Sequence, residues 1–297
     1  MNQEPTLTYV YAVAVPTPEL DRIVASLRGV ADAALSLLPP RGDAGPAAPA
    51  FVTSQVPHAD WREEVLRAHF EDLDWLESTA RAHHHVIQAL SDRATVLPLR
   101  MATLYQDQER ALAALREQRP AFTDRLALLA HQAEYGVKVY VRPDAAGGAD
   151  EPDSATAAAT PAPSSPGKAY LQARKRQHHA REDRYEQAAA AAERIAAAAA
   201  AHATHAVRHP TQSGPLTRGG AGEDGENVLN DAYLVPDDQV EAFRRAVQQA
   251  GEDLPGVRVD VTGPWAPYSF AMPAPPATGT DTHTGTGTAI HTPGGPT

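Results

Sequence analysis

Tyr135-Gly136-Val137-Lys138-Val139-Tyr140-Val141 places apolar side chains at every second position and is rich in β-branched and aromatic residues. That is the period of a half-buried strand. Downstream lies an Ala/Pro/Ser/Thr tract, 144–166, with too little apolar surface to offset chain entropy. Lys168 to Ala201 then reads as a long helix, with 11 alanines among the 14 residues 188–201. Thr204–Arg208 reads as a short strand, Val228–Val235 as a strand closed by Pro236, and Val240, Phe243, Ala246 and Val247 as one helical face. Val257–Val261 alternates strictly and is the last strand. The order β-α-β-β-α-β is that of a ferredoxin-like split βαβ unit, here with 144–166 as a disordered insertion after its first strand.

The N-terminal half is built from similar parts. Leu7–Val15 and Ala50–Val56 read as strands, each stopped by a proline. Thr17-Pro18-Glu19 supplies an N-cap, a proline at the first helical position and an acidic first turn, followed by Leu20, Ile23, Val24 and Leu27 at helical spacing. Apolar residues from Trp61 to Leu90 mark one or two long amphipathic helices. Val96–Arg100 is a third strand, in which Pro98 suits an edge or a bulge. Leu104, Leu112 and Leu115 continue as helix, and Pro120 begins another. The expected fold class is therefore α+β in two domains. Residues 1–132 form a distorted ferredoxin-like α+β unit with extra helices and a helical linker. Residues 133–272 form the ferredoxin-like domain, and 273–297 a disordered tail.

Composition narrows the function. Leu, Ile, Val and Phe make up 53 of the 297 residues, and only Ile290 among them falls in 144–166 or 273–297. The remaining body of about 250 residues has an ordinary apolar content and suits two modest domains. The absence of cysteine excludes disulfides, a thiol nucleophile and cysteine-ligated metal. A net charge of −11 opposes non-specific nucleic-acid binding. No segment approaches a membrane span or a signal peptide, so a cytoplasmic protein is expected.

No metalloprotease, phosphate-loop, dinucleotide or serine-hydrolase motif is present. Histidines number 13, yet His83-His84-His85 point three ways around a helix and cannot share one metal. His202, His205 and His209 have helical spacing but no acidic partner, and Pro210 follows. No cofactor, metal site or catalytic residue is expected. Three features are candidates for partner binding. The stretch 168–184 holds six Lys/Arg, including Arg174, Lys175 and Arg176, against two acids; it is either a solvated face or a docking face. Arg100 is either half of a structural ion pair or a binding contact. Gly263-Pro264-Trp265-Ala266-Pro267-Tyr268-Ser269-Phe270 is either a strap over an apolar face or an exposed anchor presenting Trp265, Tyr268 and Phe270.

Six segments together resemble one family, the gas vesicle proteins of the GvpF/GvpL type. They are Tyr9–Val13, Val96–Thr103, Glu134–Val139, Gly167–Leu171, Asn230–Val235 and Gly263–Phe270, in family order along residues 7–270. Met101-Ala102 stands where the family usually carries Phe-Gly. Since alanine tolerates positive φ poorly, a tight turn there is in question. The resemblance implies a non-enzymatic, gas vesicle-associated accessory protein. It would bind the small apolar shell protein GvpA or its homologue, and other accessory proteins, and assist shell assembly through an edge strand or a helix face. The alternatives are a regulator or scaffold acting through 168–184, and a ferredoxin-like small-ligand binder.

Overall fold

The structure, a computed structural model, describes residues 5–40, 45, 48–141, 166–211, 225–252, 254 and 256–271. The tract 144–166, apart from Pro166, and the 273–297 tail lie outside the described residues. The architecture is mixed α and β around two antiparallel sheets.

The first half contains β1 (Thr6–Ala14), α1 (Pro18–Ser26), a 3-10 turn at Val30–Asp32, β2 (Leu35–Leu38) and β3 (Ala50–Pro57). Then come α2 (His58–Trp61), α3 (Glu63–His69), α4 (Leu73–Ser91), β4 (Val96–Pro98), β5 (Leu104–Tyr105), α5 (Gln108–Glu117) and α6 (Arg119–Leu129). The sheet order is β2-β3-β1-β4, with β5 pairing beside β4 along the same side of β1. β1 is buried from Leu7 to Ala14, so it has no polar alternation, as befits a strand covered on both faces. A bulge at Tyr11 shifts its phase, so that Tyr11 and Ala12 both enter the same core.

β6 (Gln132–Val141), α7 (Pro166–Ala200), β7 (His205–Arg208), β8 (Glu226–Pro236), α8 (Val240–Glu252), β9 (Val257–Trp265) and α9 (Tyr268–Ala271) follow among the described residues. The second sheet runs β7-β8-β6-β9.

Three apolar clusters arrange these elements in layers. Tyr9, Tyr11, Leu20, Val24, Val86, Ile87 and Leu90 pack α1 and α4 on one face of the first sheet. Val10, Val13, Phe51 and Leu97 on its other face meet Leu112, Leu115, Phe122, Leu126 and Leu129 of α5 and α6. That same cluster takes in Ala232 and Leu234 of β8, with Phe270 and Ala271 of α9. The far face of the second sheet, through Val137, Val139, Tyr233 and Val235, packs on α7 and α8. Each large apolar side chain so buried contributes roughly 1.5–3 kcal/mol.

Some elements differ from expectation. Leu35–Leu38, to which the sequence reading assigns no element, is an edge strand, with Ser36 paired to Thr53. Leu104 and Tyr105 belong to β5. The helix starts later, where Asp107 caps it by accepting from the Arg110 N–H at 2.7 Å. The alanines of α7 are a packing device: Ala188, Ala191, Ala192, Ile195 and Ala199 form its buried stripe, small enough for close approach to the sheet.

Candidate functional site

Three segments distant in sequence converge: the turn between β4 and β5, the middle of α4, and the strap 263–271 that ends β9 and forms α9. The turn is closed by the Thr103 N–H donating to the Arg100 carbonyl at 3.2 Å, with Ala102 at φ 60°. A positive φ at the third residue is what a type II turn requires and what glycine ordinarily supplies. The turn therefore forms with alanine in the left-handed region.

Tyr9 explains why. The Ala102 N–H donates to the buried Tyr9 hydroxyl at 3.0 Å. That hydroxyl lies 2.9 Å from His83 Nδ1, and His83 Nε2 lies 3.1 Å from the Leu99 carbonyl. A carbonyl only accepts, so Nε2 carries the proton and Tyr9 donates to Nδ1. Neutral His83 satisfies every group in the chain of bonds. Burial pushes its pKa down to about 4, against the opposing bond to Leu99. Burial likewise raises Tyr9, partly offset by the bond from Ala102.

The strap is fastened at several points. Gly263 has φ 121°, and a Cβ there would fall 2.8 Å from the Glu134 carbonyl oxygen, so both conformation and space demand glycine. Arg244 donates to the Gly263 carbonyl at 3.2 Å. The Ala266 N–H donates to Gln88 Oε1 on α4 at 3.2 Å. Ser269 donates twice to the buried Glu134, from its backbone N–H at 2.8 Å and its hydroxyl at 2.7 Å. Since that hydroxyl proton points at Glu134, His209 Nε2, 3.0 Å from Ser269 Oγ, is the donor there. Burial raises the Glu134 carboxyl, while the Ser269 donors and nearby His209 act in the opposite direction.

What the fastened strap exposes is aromatic. Trp265 is 42 % exposed and Tyr268 is 37 % exposed. Their ring centroids lie 6.2 and 6.1 Å from that of exposed His84 on α4, one turn-face away from buried His83. Phe270 differs from the expectation of a surface anchor: it is 5 % exposed and fills the cluster between the sheets. The segment thus divides its aromatics between a strap, through Ala266 and Phe270, and a surface, through Trp265 and Tyr268.

Arg100 is exposed at the first position of the turn, near the β4 end against which α9 packs. Among the described residues it makes no ion pair, so the structural-pair expectation is not met. Arg174 and Lys175 are exposed on α7, whose Ala192–Ala199 stretch packs on the face of the second sheet opposite to Phe270. The Arg176 side chain lies outside the described residues. Gln88, Glu134 and Ser269 were not among the candidate residues read from sequence, and His84 was weighed only as part of a histidine run unable to share one metal. Their one signal was chemical: a carboxylate at the start of an apolar strand, and a hydroxyl between two aromatics.

Among the described residues no group of three His, Asp or Glu could hold a metal, and no helix is long and apolar enough to cross a membrane. An open groove of about 320 Å³ lies between α7 and β7–β8. Its cation, Arg208, is committed to Asp231 and Glu193, each at 3.2 Å.

Known proteins are similar to this chain in sequence and fold. The model of the family described as "Gas vesicle synthesis protein GvpL/GvpF" matches residues 7–272. Gas vesicle protein L of Streptomyces sp. (strain CB03234) is 38% identical over 220 residues, covering 74% of this chain and 79% of that protein. The crystal structure of GvpF from Anabaena sp. PCC7120 superposes with a TM-score of 0.56 at 18% identity, over 91% of this chain and 97% of that one. GvpF from Microcystis aeruginosa gives 0.56 at 17% identity, over 90% and 99%. At such identities the structures speak for the fold alone. With the family model spanning nearly the whole chain and a 38% identical relative beside it, this chain belongs to the gas vesicle synthesis protein GvpL/GvpF family.

Proposed function

We propose that this chain is a non-enzymatic accessory protein of gas vesicle formation, associated with the vesicle, that binds the apolar shell protein and assists its assembly. The observation that carries the reading to particular residues is the Trp265–Tyr268–His84 cluster: aromatic side chains held half out of the surface by a strap fastened through buried Ala266 and Phe270 and hydrogen-bonded Ser269. Rigid aromatics of this kind lose little entropy on binding and make strong anchors for an apolar partner. Arg100 borders the same region and is read as a flanking contact. We read the βαββαβ half, with its β7-β8-β6-β9 order, as a ferredoxin-like domain over residues 133–272 that serves as the scaffold for this surface.

The test is retention of purified shell subunit on immobilised full-length chain, parent against the Trp265→Ala/Tyr268→Ala double variant, with thermal midpoints measured in parallel. Retention by the parent and its loss in a variant of unchanged midpoint supports the reading. Equal retention by both removes the strap as the surface. No retention by the parent, together with normal vesicles in a strain deleted for this chain and its paralogues, removes the function itself.

A further inference from the structure

We propose that a second copy of this chain docks head to tail, the basic N-terminal part of α7 in one copy seating on the acidic α3–α4 corner of the next. This goes beyond the shell-binding reading and uses neither the strap nor its aromatics.

Among the described residues away from the strap, the large apolar side chains most exposed to solvent occupy two places. Leu73 is 76 % exposed at the start of α4, and Tyr170 and Leu171 are 64 % and 65 % exposed near the start of α7. Exposed in the same structure, the two do not cover each other within one chain. Their charge settings are opposite. Residues 58–77, around Leu73, carry seven acids and two arginines. Residues 168–184, around Tyr170, carry six basic residues and two acids.

The corner has the anatomy of an interface. Leu73 stands beside half-buried Phe70, Trp75 and Leu76, with Trp75 stacked on His69 at 4.5 Å and edge-on to Phe70 at 6.1 Å. Glu64, Glu71 and Asp74 are exposed on and between the same two helices, and among the described residues none of the three makes an ion pair. An apolar centre inside a charged rim is the common plan of a protein–protein contact.

The helix end is its complement. α7 buries its C-terminal stretch, from Ala188 to Ala199, against the second sheet, while Tyr170, Leu171, Arg174 and Lys175 are exposed. Spacings of three and four set Tyr170 over Arg174 and Leu171 over Lys175, so apolar and cationic groups run along one side. An amphipathic helix lays such a side onto an apolar patch, and here the rim supplies the opposite charge. The two surfaces differ, so the contact is heterologous: each pairing uses one helix face and one corner and leaves the other two for further copies, giving chains or closed rings.

The test is sedimentation velocity of the full-length chain alone over a concentration series, at about 0.01 M and about 1 M salt, where screening lengths are about 30 and 3 Å. The expected result is association that grows with concentration at low salt and disappears at high salt. Arg174→Glu/Lys175→Glu reverses the charge at the two exposed contact positions of the helix end, and Glu71→Lys/Asp74→Lys reverses it at two positions of the corner. Each variant alone should associate at least about tenfold more weakly, since like charges then face each other. An equimolar mixture should regain association, because every mixed contact again pairs opposite charges. A parent that stays monomeric throughout, single variants that associate like the parent, or a mixture that stays monomeric each overturns the proposal. Circular dichroism of both variants separates lost association from lost folding.

Discussion

The Tyr9 hydroxyl donates to Nδ1 of His83 across 2.9 Å of buried space, tying the central strand of the first sheet to α4. This bond exists only while His83 is neutral. Its pKa in the folded chain, about 4, lies below the ordinary 6.5, so between those values the unfolded chain takes up the proton and the folded one does not. The stability linked to His83 is complete above about pH 6.5 and falls as pH drops toward 4, by roughly 3 kcal/mol in all. Urea unfolding at pH 7 and pH 4.5 should show this loss in the parent, with a clearly shallower pH dependence in His83→Gln. Parallel pH profiles in the two proteins would count against it.

Ala102 sits at φ 60° in a turn built for glycine. Ala102→Gly removes a left-handed alanine costing roughly 1–2 kcal/mol and adds back part of that through a freer unfolded chain. A net gain of up to about 1 kcal/mol should appear as a higher urea midpoint with an unchanged slope.

The strap divides stability from binding. Phe270→Ala opens a void in the cluster between the sheets and should cost roughly 3–5 kcal/mol. Trp265→Ala and Tyr268→Ala remove side chains already facing solvent and should cost about 1 kcal/mol or less each, while weakening retention of shell subunit. Calorimetry alongside the retention assay checks both halves. A strap acting only as a cover would lose stability in all three variants with no separate effect on binding.

Ser269→Ala deletes one of two donors to a buried carboxylate, leaving Glu134 short of a partner at a cost of about 1–3 kcal/mol. Retention should fall although Trp265 and Tyr268 are intact, because the strap that aims them is loosened. Ser269→Thr, which keeps the hydroxyl, should restore much of it.

Much of this fold could be read directly from residues. Tyr135–Val141 alternates, Thr17-Pro18 announces a helix, and prolines 57 and 236 close their strands, because local periodicity and backbone chemistry decide those elements. Leu35–Leu38 was invisible for the complementary reason: an edge strand with one partner takes its conformation from β3, and nothing local distinguishes it from a helix end. In the stripe Ala188–Ala199 only the helix was legible, not the packing face, because alanine serves helix propensity and close packing alike. At the strap, the aromatic content of 263–270 was plain, but which ring turns inward was not. That choice rests on Glu134, 135 residues away, which holds Ser269, and on the apolar gap that admits Phe270.

The apolar cluster between the two sheets joins their fates. Ala232, Leu234 and Phe270 from one half close against Phe122, Leu126 and Leu129 from the other. Severing the backbone between residues 132 and 133 would leave each fragment with a wet, adhesive face in place of shared packing. Melting is therefore expected as one cooperative event for the whole body, with neither sheet outlasting the other. A cell that clips this protein near that point would obtain two sticky remnants instead of two working halves.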